Sequence, residues 1–202
     1  MAFRYLLAII IAAGQANVGP VIDGRIDAQE WSGATRAAMT GGGEMQMLRR
    51  GEFLYVAIRG PKNGLGSLCI SKGSTVRILH ASAAVGEAAF VRDGASWTKR
   101  KDFEWVLRDS PRAGGVTEQA KTGFLTSAGW VANASAAGSP DREFKVRASD
   151  VEALAVTFLS TDEPMAVSYW PASVDDACRS VEIPQGNLPA SARFNVTSWH
   201  RP

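Results

Sequence analysis

The feature that most constrains the fold is a two-residue alternation of apolar and polar side chains that recurs along most of the chain. The stretch Glu44–Arg50 places Met45 and Met47 between polar neighbours, and Phe53–Arg59 follows it across a short turn. Successive side chains of a β-strand point to opposite faces of a sheet, so this period predicts strands rather than helices. Phe53–Arg59 is apolar at nearly every position, which predicts a strand that is buried on both faces in a layered fold.

Further alternating segments follow, separated by glycine-rich turns. Asp93-Gly94 has the composition of a tight hairpin turn that returns through Ser96-Trp97-Thr98. Between Gly114 and Ser127, a Thr-x-x-Ala start predicts a short surface helix. About ten or more short strands joined by such turns indicate an all-β protein, an antiparallel β-sandwich of jelly-roll type with one or two short helices. The remaining strand segments are Ser67–Ser71, Thr75–Ser82, Ala88–Gly94, Phe103–Arg108, Glu143–Ala148, Leu154–Ser160, Met165–Trp170 and Ala192–Trp199.

The first residues have the layout of a secretory signal peptide. Arg4 supplies a positive start, Tyr5–Ala13 is an unbroken apolar run, and Gly14-Gln15-Ala16 is a small-x-small cleavage pattern. The apolar run is less than half of the ~20 residues that are needed to span a bilayer. We therefore predict a signal peptide over residues 1–16, a secreted or periplasmic location, no membrane span after cleavage, and a single domain over residues 17–202.

Charge and cysteine content restrict the classes of partner and of metal site. The net charge of +2 falls to +1 when Arg4, the only charged residue of the leader, is removed. A nearly neutral chain has no general attraction for nucleic acid, so we predict no nucleic-acid partner. Cys69 and Cys178 of an exported chain are predicted to form one disulfide, with two buried thiols as the alternative. Lone cysteines and only two histidines, His80 and His200, do not form the pattern of a transition-metal site.

A short motif after the leader predicts a tight turn followed by a single capped helical turn. Asp23-Gly24 is a turn in which the glycine can adopt a positive φ. Asp27 can cap the single helical turn that ends on Trp31, and Glu30 can complete a capping box with it. Trp31 is then expected to pack at the edge of the sandwich.

Together with a later strand, this motif resembles the start of family-nine carbohydrate-binding modules and of related DOMON-like sandwich domains. The resemblance covers Pro20–Arg59 and includes the sequence of Leu54–Ala57. Members that hold sugar clamp it between two tryptophans. The position of the first falls in Gly60–Ser71, which has no aromatic residue here, and the second corresponds to Trp170. The resemblance therefore implies a sugar-binding sandwich that retains half of the clamp.

Sugar binding needs flat apolar ring faces beside polar side chains. Trp170, which ends a strand before a polar loop, is the first candidate, and Trp97, beside a turn, is the second because we expect it to be exposed. Asp175 and Asp176 are candidates for hydroxyl contacts, with calcium binding or plain solvation as the alternatives. Trp105 lies in an alternating strand and is expected in the core.

Catalytic motifs of known hydrolases, metalloproteases and phosphate-binding enzymes do not occur in the chain. His80 lies inside a predicted strand, where we expect it to anchor a hydrogen bond rather than act as a base. The sequence thus predicts an exported, non-catalytic domain that binds carbohydrate or another small polar ligand and needs no cofactor. A structural or protein-interaction sandwich is the first alternative, and a hydrolase is the second.

Overall fold

The structure, a computed structural model, describes residues 19–110 and 115–202. These residues form an antiparallel β-sandwich with two short helices, as predicted. The strands are β1 (Thr35–Ala38), β2 (Glu44–Arg50), β3 (Phe53–Arg59), β4 (Gly64–Lys72), β5 (Thr75–Ala81), β6 (Val85–Asp93), β7 (Ser96–Val106), β8 (Trp130–Ala132), β9 (Asp141–Arg147), β10 (Ala153–Ser160), β11 (Ala166–Trp170) and β12 (Ser191–Ala192). One sheet has the order β1-β2-β3-β9-β8, and the other has the order β11-β10-β4-β5-β6-β7-β12.

The first helix, α1 (Glu118–Ala128), confirms the helix predicted after Gly114. Thr117 caps it, because its side chain accepts a 3.2 Å hydrogen bond from the backbone N–H of Ala120. Gly129 ends it in the left-handed conformation that a glycine adopts without strain. The second helix, α2 (Glu182–Gln185), is a single turn.

The main core lies between the two sheets. Alternate residues of β3, namely Leu54, Val56 and Ile58, face inward and are almost fully buried. They meet inward-facing residues of the seven-stranded sheet such as Leu68 and Val156. The period of two in the sequence therefore corresponds to one inward side chain for every two residues of strand.

The outer face of each sheet is also covered. Residues 19–34 lie over the five-stranded sheet, where Trp31 packs with Tyr55 and Ala57. Residues 171–199, apart from the edge strand β12, lie over the seven-stranded sheet, where Phe194 and Trp199 belong to a second buried cluster; we call this segment the C-terminal cover. This layering confirms that β3 is buried on both faces, since a cover of irregular chain shields the side that faces away from the core.

The opening motif folds largely as its sequence predicts. Gly24 has a φ of 87°, and Trp31 is fully buried. Asp27 caps the turn, with its Oδ1 accepting hydrogen bonds from the backbone N–H groups of Gln29 and Glu30 at 2.7 and 3.4 Å. The predicted capping box is wrong, because the carboxylate of Glu30 accepts instead from the backbone N–H of Val21, at 3.3 Å.

The predicted disulfide is confirmed. Cys69 of β4 and Cys178 of the C-terminal cover are joined across a sequence separation of 109, and both are buried. The bond therefore ties the cover to the sheet beneath it. Among the described residues, no helix has the length and apolar character needed to cross a membrane. The predicted signal peptide, residues 1–16, lies outside the described residues.

Candidate functional site

The six tryptophans divide into four that are buried and two that are half-buried. The buried ones include Trp97, which is only 3% exposed and whose Nε1 donates a 3.1 Å hydrogen bond to the carbonyl of Phe194. The expectation that Trp97 is exposed is wrong, because the C-terminal cover lies over the hairpin on which it stands. Trp105, which we expected in the core, is more exposed than predicted. It is half-buried, and its ring stacks on that of Phe103 with centroids 4.9 Å apart.

Asp176 has a structural role. Its carboxylate accepts hydrogen bonds from the backbone N–H groups of Cys178 and Asn195 and from Nε1 of Trp199, at 2.9, 2.6 and 2.7 Å. Burial raises the pKa of this carboxyl above its usual value, and the hydrogen bonds oppose that effect. Asp175 is exposed and accepts a 3.1 Å hydrogen bond from the side-chain amide of Asn195. Both aspartates therefore brace the C-terminal cover.

Trp170 lies on the opposite side of the seven-stranded sheet from Asp176. It pairs with Val156 at the end of the edge strand β11, and its half-buried ring packs against the core between the sheets. The structure therefore does not bring Trp170 together with Trp97 or with the two aspartates. Trp170 is the predicted site residue that keeps a partly accessible ring.

His200 is the aromatic partner of Trp170. Their ring centroids are 4.8 Å apart. The backbone of His200 continues the sheet edge where β11 ends, since its N–H and C=O both bond to Leu154, at 3.0 and 2.8 Å. Burial lowers the pKa of His200, so its ring is neutral at pH 7. The two rings form one uncharged aromatic surface at the edge of the sandwich.

A cleft of about 280 Å³ continues this edge, and we call it the edge cleft. Val151, just before β10, and Pro202, just after His200, both line it, so it lies along the same line as the ring pair. Met47 and Leu54 contribute further apolar surface, whereas its polar side chains are those of Thr35, Arg49 and Arg50. The volume is close to the lower end of the roughly 300–1,000 Å³ typical of small-molecule sites.

Sequence reasoning did not find the edge cleft, because its residues come from distant parts of the chain. Thr35, Met47 and Arg49 stand at alternate, inward-facing positions near the ends of β1 and β2. A signal was present in Arg49, a charged residue at an inward position of an otherwise apolar alternation. Such a position indicates that the inward face of β2 opens to solvent there.

A serine–histidine pair bears on the hydrolase alternative. Oγ of Ser67 and Nδ1 of His80 are 3.0 Å apart, which confirms that His80 anchors a hydrogen bond. Both side chains are buried, and the edges of the Phe103 and Trp105 rings lie against His80. Burial lowers the pKa of His80 to about 3, so its imidazole is a weak base at neutral pH. This arrangement supports a structural role for the pair.

A second, more polar cleft of about 420 Å³ lies beside the opening motif and is lined by Asp23, Asp27, Arg59 and Asp141 among others. Its carboxylates already accept hydrogen bonds. Asp141 bonds to Arg59 and to the backbone N–H of Ile26, and Asp23 bonds to the backbone N–H of Arg25. Across residues 19–110 and 115–202, no group of three or more metal-ligating side chains is close enough to hold an ion.

Comparison of the chain with protein-family models, with curated protein sequences and with solved structures finds no match.

Proposed function

We propose that this protein is an exported, non-catalytic domain that binds carbohydrate in the edge cleft, with Trp170 as the aromatic platform. The ring of Trp170, half-buried on the sheet edge that leads through His200 to a cleft of about 280 Å³ with both apolar and polar lining, is the observation that carries the proposal. A sugar ring has an apolar C–H side and a rim of hydroxyls, so it needs this combination.

The surroundings of the cleft support the proposal. The rings of Trp170 and His200 provide a neutral aromatic surface, while the hydroxyl of Thr35 and the guanidinium groups of Arg49 and Arg50 can donate to sugar oxygens. The resemblance of Pro20–Arg59 to carbohydrate-binding modules points in the same direction. The disulfide supports export, because such bonds persist in oxidising compartments.

A glycan array followed by titration calorimetry with the purified exported protein tests the proposal. Trp170→Phe should weaken binding of any sugar that the array identifies, because the smaller ring offers less contact surface. Trp105→Phe is the matched control, since Trp105 is the other half-buried tryptophan and lies on the outer face of the same sheet. An array without a hit, or equal binding by both variants, would contradict the proposal.

A protein-interaction domain is the second candidate. Its support is the edge strand β1, which within residues 19–110 and 115–202 pairs only with β2 and whose residues Thr35–Ala38 are largely exposed. An exposed strand edge can add a strand from a partner. Protection of the Thr35–Ala38 amides from hydrogen exchange by a protein partner, together with an array that shows no glycan binding, would favour this function.

A further inference from the structure

We infer that the edge cleft selects a carboxylate-bearing sugar over a neutral one, because the charged side chains that line it are two arginines without a carboxylate partner. This inference rests on the proposed function and specifies the class of its ligand. Arg49 and Arg50 both line the cleft, and no acidic residue lines it.

The side chain of Arg49 is directed towards the cleft by strand geometry. Arg49 pairs with Leu54 across β2 and β3, and Leu54 faces the core, so both side chains are on the inward side of the sheet. Arg49 is exposed, and none of the ion pairs in the described part of the chain includes it. Its guanidinium group is therefore available to a ligand.

Arg50 is held in place but keeps its charge uncompensated. Its Nη2 donates to the carbonyl of Ser32 at 3.2 Å, and its Nη1 donates to the carbonyl of Arg49 at 3.3 Å. A guanidinium group has five N–H donors, so further donors remain for a ligand. Within residues 19–110 and 115–202, Arg50 forms no ion pair with a carboxylate.

The rest of the cleft suits the sugar part of such a ligand. Met47, Leu54 and Val151 supply apolar surface for the C–H side of a ring, and Thr35 supplies a hydroxyl. Two positive charges in a half-enclosed cleft attract an anion more strongly than they would in open water. The planar fork of an arginine fits a carboxylate with two parallel hydrogen bonds, which gives preference over a neutral hydroxymethyl group.

Calorimetric titration of the full exported chain with three probes tests this inference. Trigalacturonate carries the carboxylates, its methyl ester keeps the same rings without the charge, and hexanoate is a carboxylate without a sugar. We expect trigalacturonate to bind more tightly than the ester, and the difference to shrink as salt is raised from 50 mM to 500 mM because salt screens partly exposed charges. Arg49→Gln should weaken trigalacturonate binding roughly 10- to 100-fold, the range for a hydrogen bond to a charged group.

Arg36→Gln is the matched control, because it removes the same charge from the neighbouring edge strand. Arg36 is exposed and follows Thr35 in β1, but it is not among the residues that line the cleft. This variant should bind trigalacturonate as the wild type does.

The outcomes separate the inference from the proposed function. Equal binding of trigalacturonate and its ester, with no effect of Arg49→Gln, would overturn the preference for carboxylates and leave a neutral-sugar site in place. Arg49-dependent binding of hexanoate without binding of either sugar would support the anionic cleft and overturn carbohydrate binding. Absence of binding by all three probes would overturn the inference, and a glycan array without a hit would then overturn the proposed function as well.

Discussion

The indole Nε1 of Trp31 donates a 3.1 Å hydrogen bond to Oε1 of Glu143, a carboxylate that is fully buried in β9. The other oxygen, Oε2, accepts from the backbone N–H groups of Asp23 and Gly24 at 3.1 and 2.7 Å. A single side chain from the sheet thus fixes both the turn and the tryptophan of the opening motif. Through these hydrogen bonds the motif holds residues 19–34 against the outer face of the five-stranded sheet.

Glu143 should make stability depend on pH. Burial raises the pKa of Glu143 to about 7 from an ordinary value of 4.5, although the hydrogen bonds from Gly24 and Trp31 oppose the shift. A raised folded-state pKa contributes stability that is present below pH 4.5 and is lost as the pH rises through about 7. The full effect is of the order of 3 kcal/mol. Urea melts between pH 4.5 and 8 should show the stability of the wild type falling relative to that of Glu143→Gln, with the difference complete by about pH 8.

The pKa of His80 is shifted in the opposite direction, so its effect on stability has the opposite pH dependence and provides the control for that experiment. Its pKa is lowered to about 3, so its contribution is present above its ordinary value of 6.5 and is lost as the pH falls towards 3. The effects of Glu143 and His80 therefore oppose each other between pH 4.5 and 6.5. His80→Asn should leave the slope above about pH 7.5 unchanged, because the unfolded-state imidazole is then almost fully deprotonated, and it should reduce the loss of stability in acid. If this variant loses as much stability in acid as the wild type, the lowered pKa of His80 is contradicted.

Removal of the disulfide should destabilise the protein strongly. Loss of a cross-link over 109 residues costs about 4–5 kcal/mol on the chain-entropy account, with smaller values where the unfolded chain keeps structure. Guanidinium melts of the Cys69→Ala/Cys178→Ala double variant measure the loss. Intact mass under denaturing conditions, before and after reduction and alkylation, verifies the bond in the wild type. Alkylation of two thiols without reductant would show that the bond is absent.

Truncation of Trp97 and of Trp170 should differ in cost. Trp97 is buried in the outer cluster, so Trp97→Ala is expected to lower stability by about 3–5 kcal/mol. Trp170 is half-buried at the sandwich edge, and Trp170→Ala should cost about 1–3 kcal/mol. Denaturant melts of the two variants give the comparison. A larger loss for Trp170 would remove it as a binding residue.

Gly86 is predicted to tolerate no side chain. A Cβ at this position would lie 2.6 Å from Cε3 of Trp105, whose ring covers the glycine. Gly86→Ala should therefore cost about 1–3 kcal/mol in a thermal or denaturant melt. Gly123→Ala in α1 is the control, because a Cβ there meets open space, and it should raise stability by about 0.5–1 kcal/mol. Equal effects of the two substitutions would show that the ring does not rest on Gly86.

The sequence by itself determined the features that depend on neighbouring residues. Alternation in β2 and β3 defined strands and their inward faces, Asp93-Gly94 defined a hairpin, and the side chains of Asp27 and Thr117 defined the starts of helical turns. These features need only local backbone geometry and hydrogen bonds within a few residues, so a pattern in the chain is enough to predict them.

Only the tertiary structure decided which surfaces the covers bury and which they leave open. Trp97 is buried because Phe194, far away in sequence, lies over it, whereas Trp105 keeps a partly open ring in a strand of the same pattern. The edge cleft combines Arg49 with Pro202 through the meeting of two sheet edges. The local periodicity of the sequence indicates which side of a strand is apolar. Whether that side is buried depends on the segment that long-range contacts bring over it, and no short pattern in the sequence encodes those contacts.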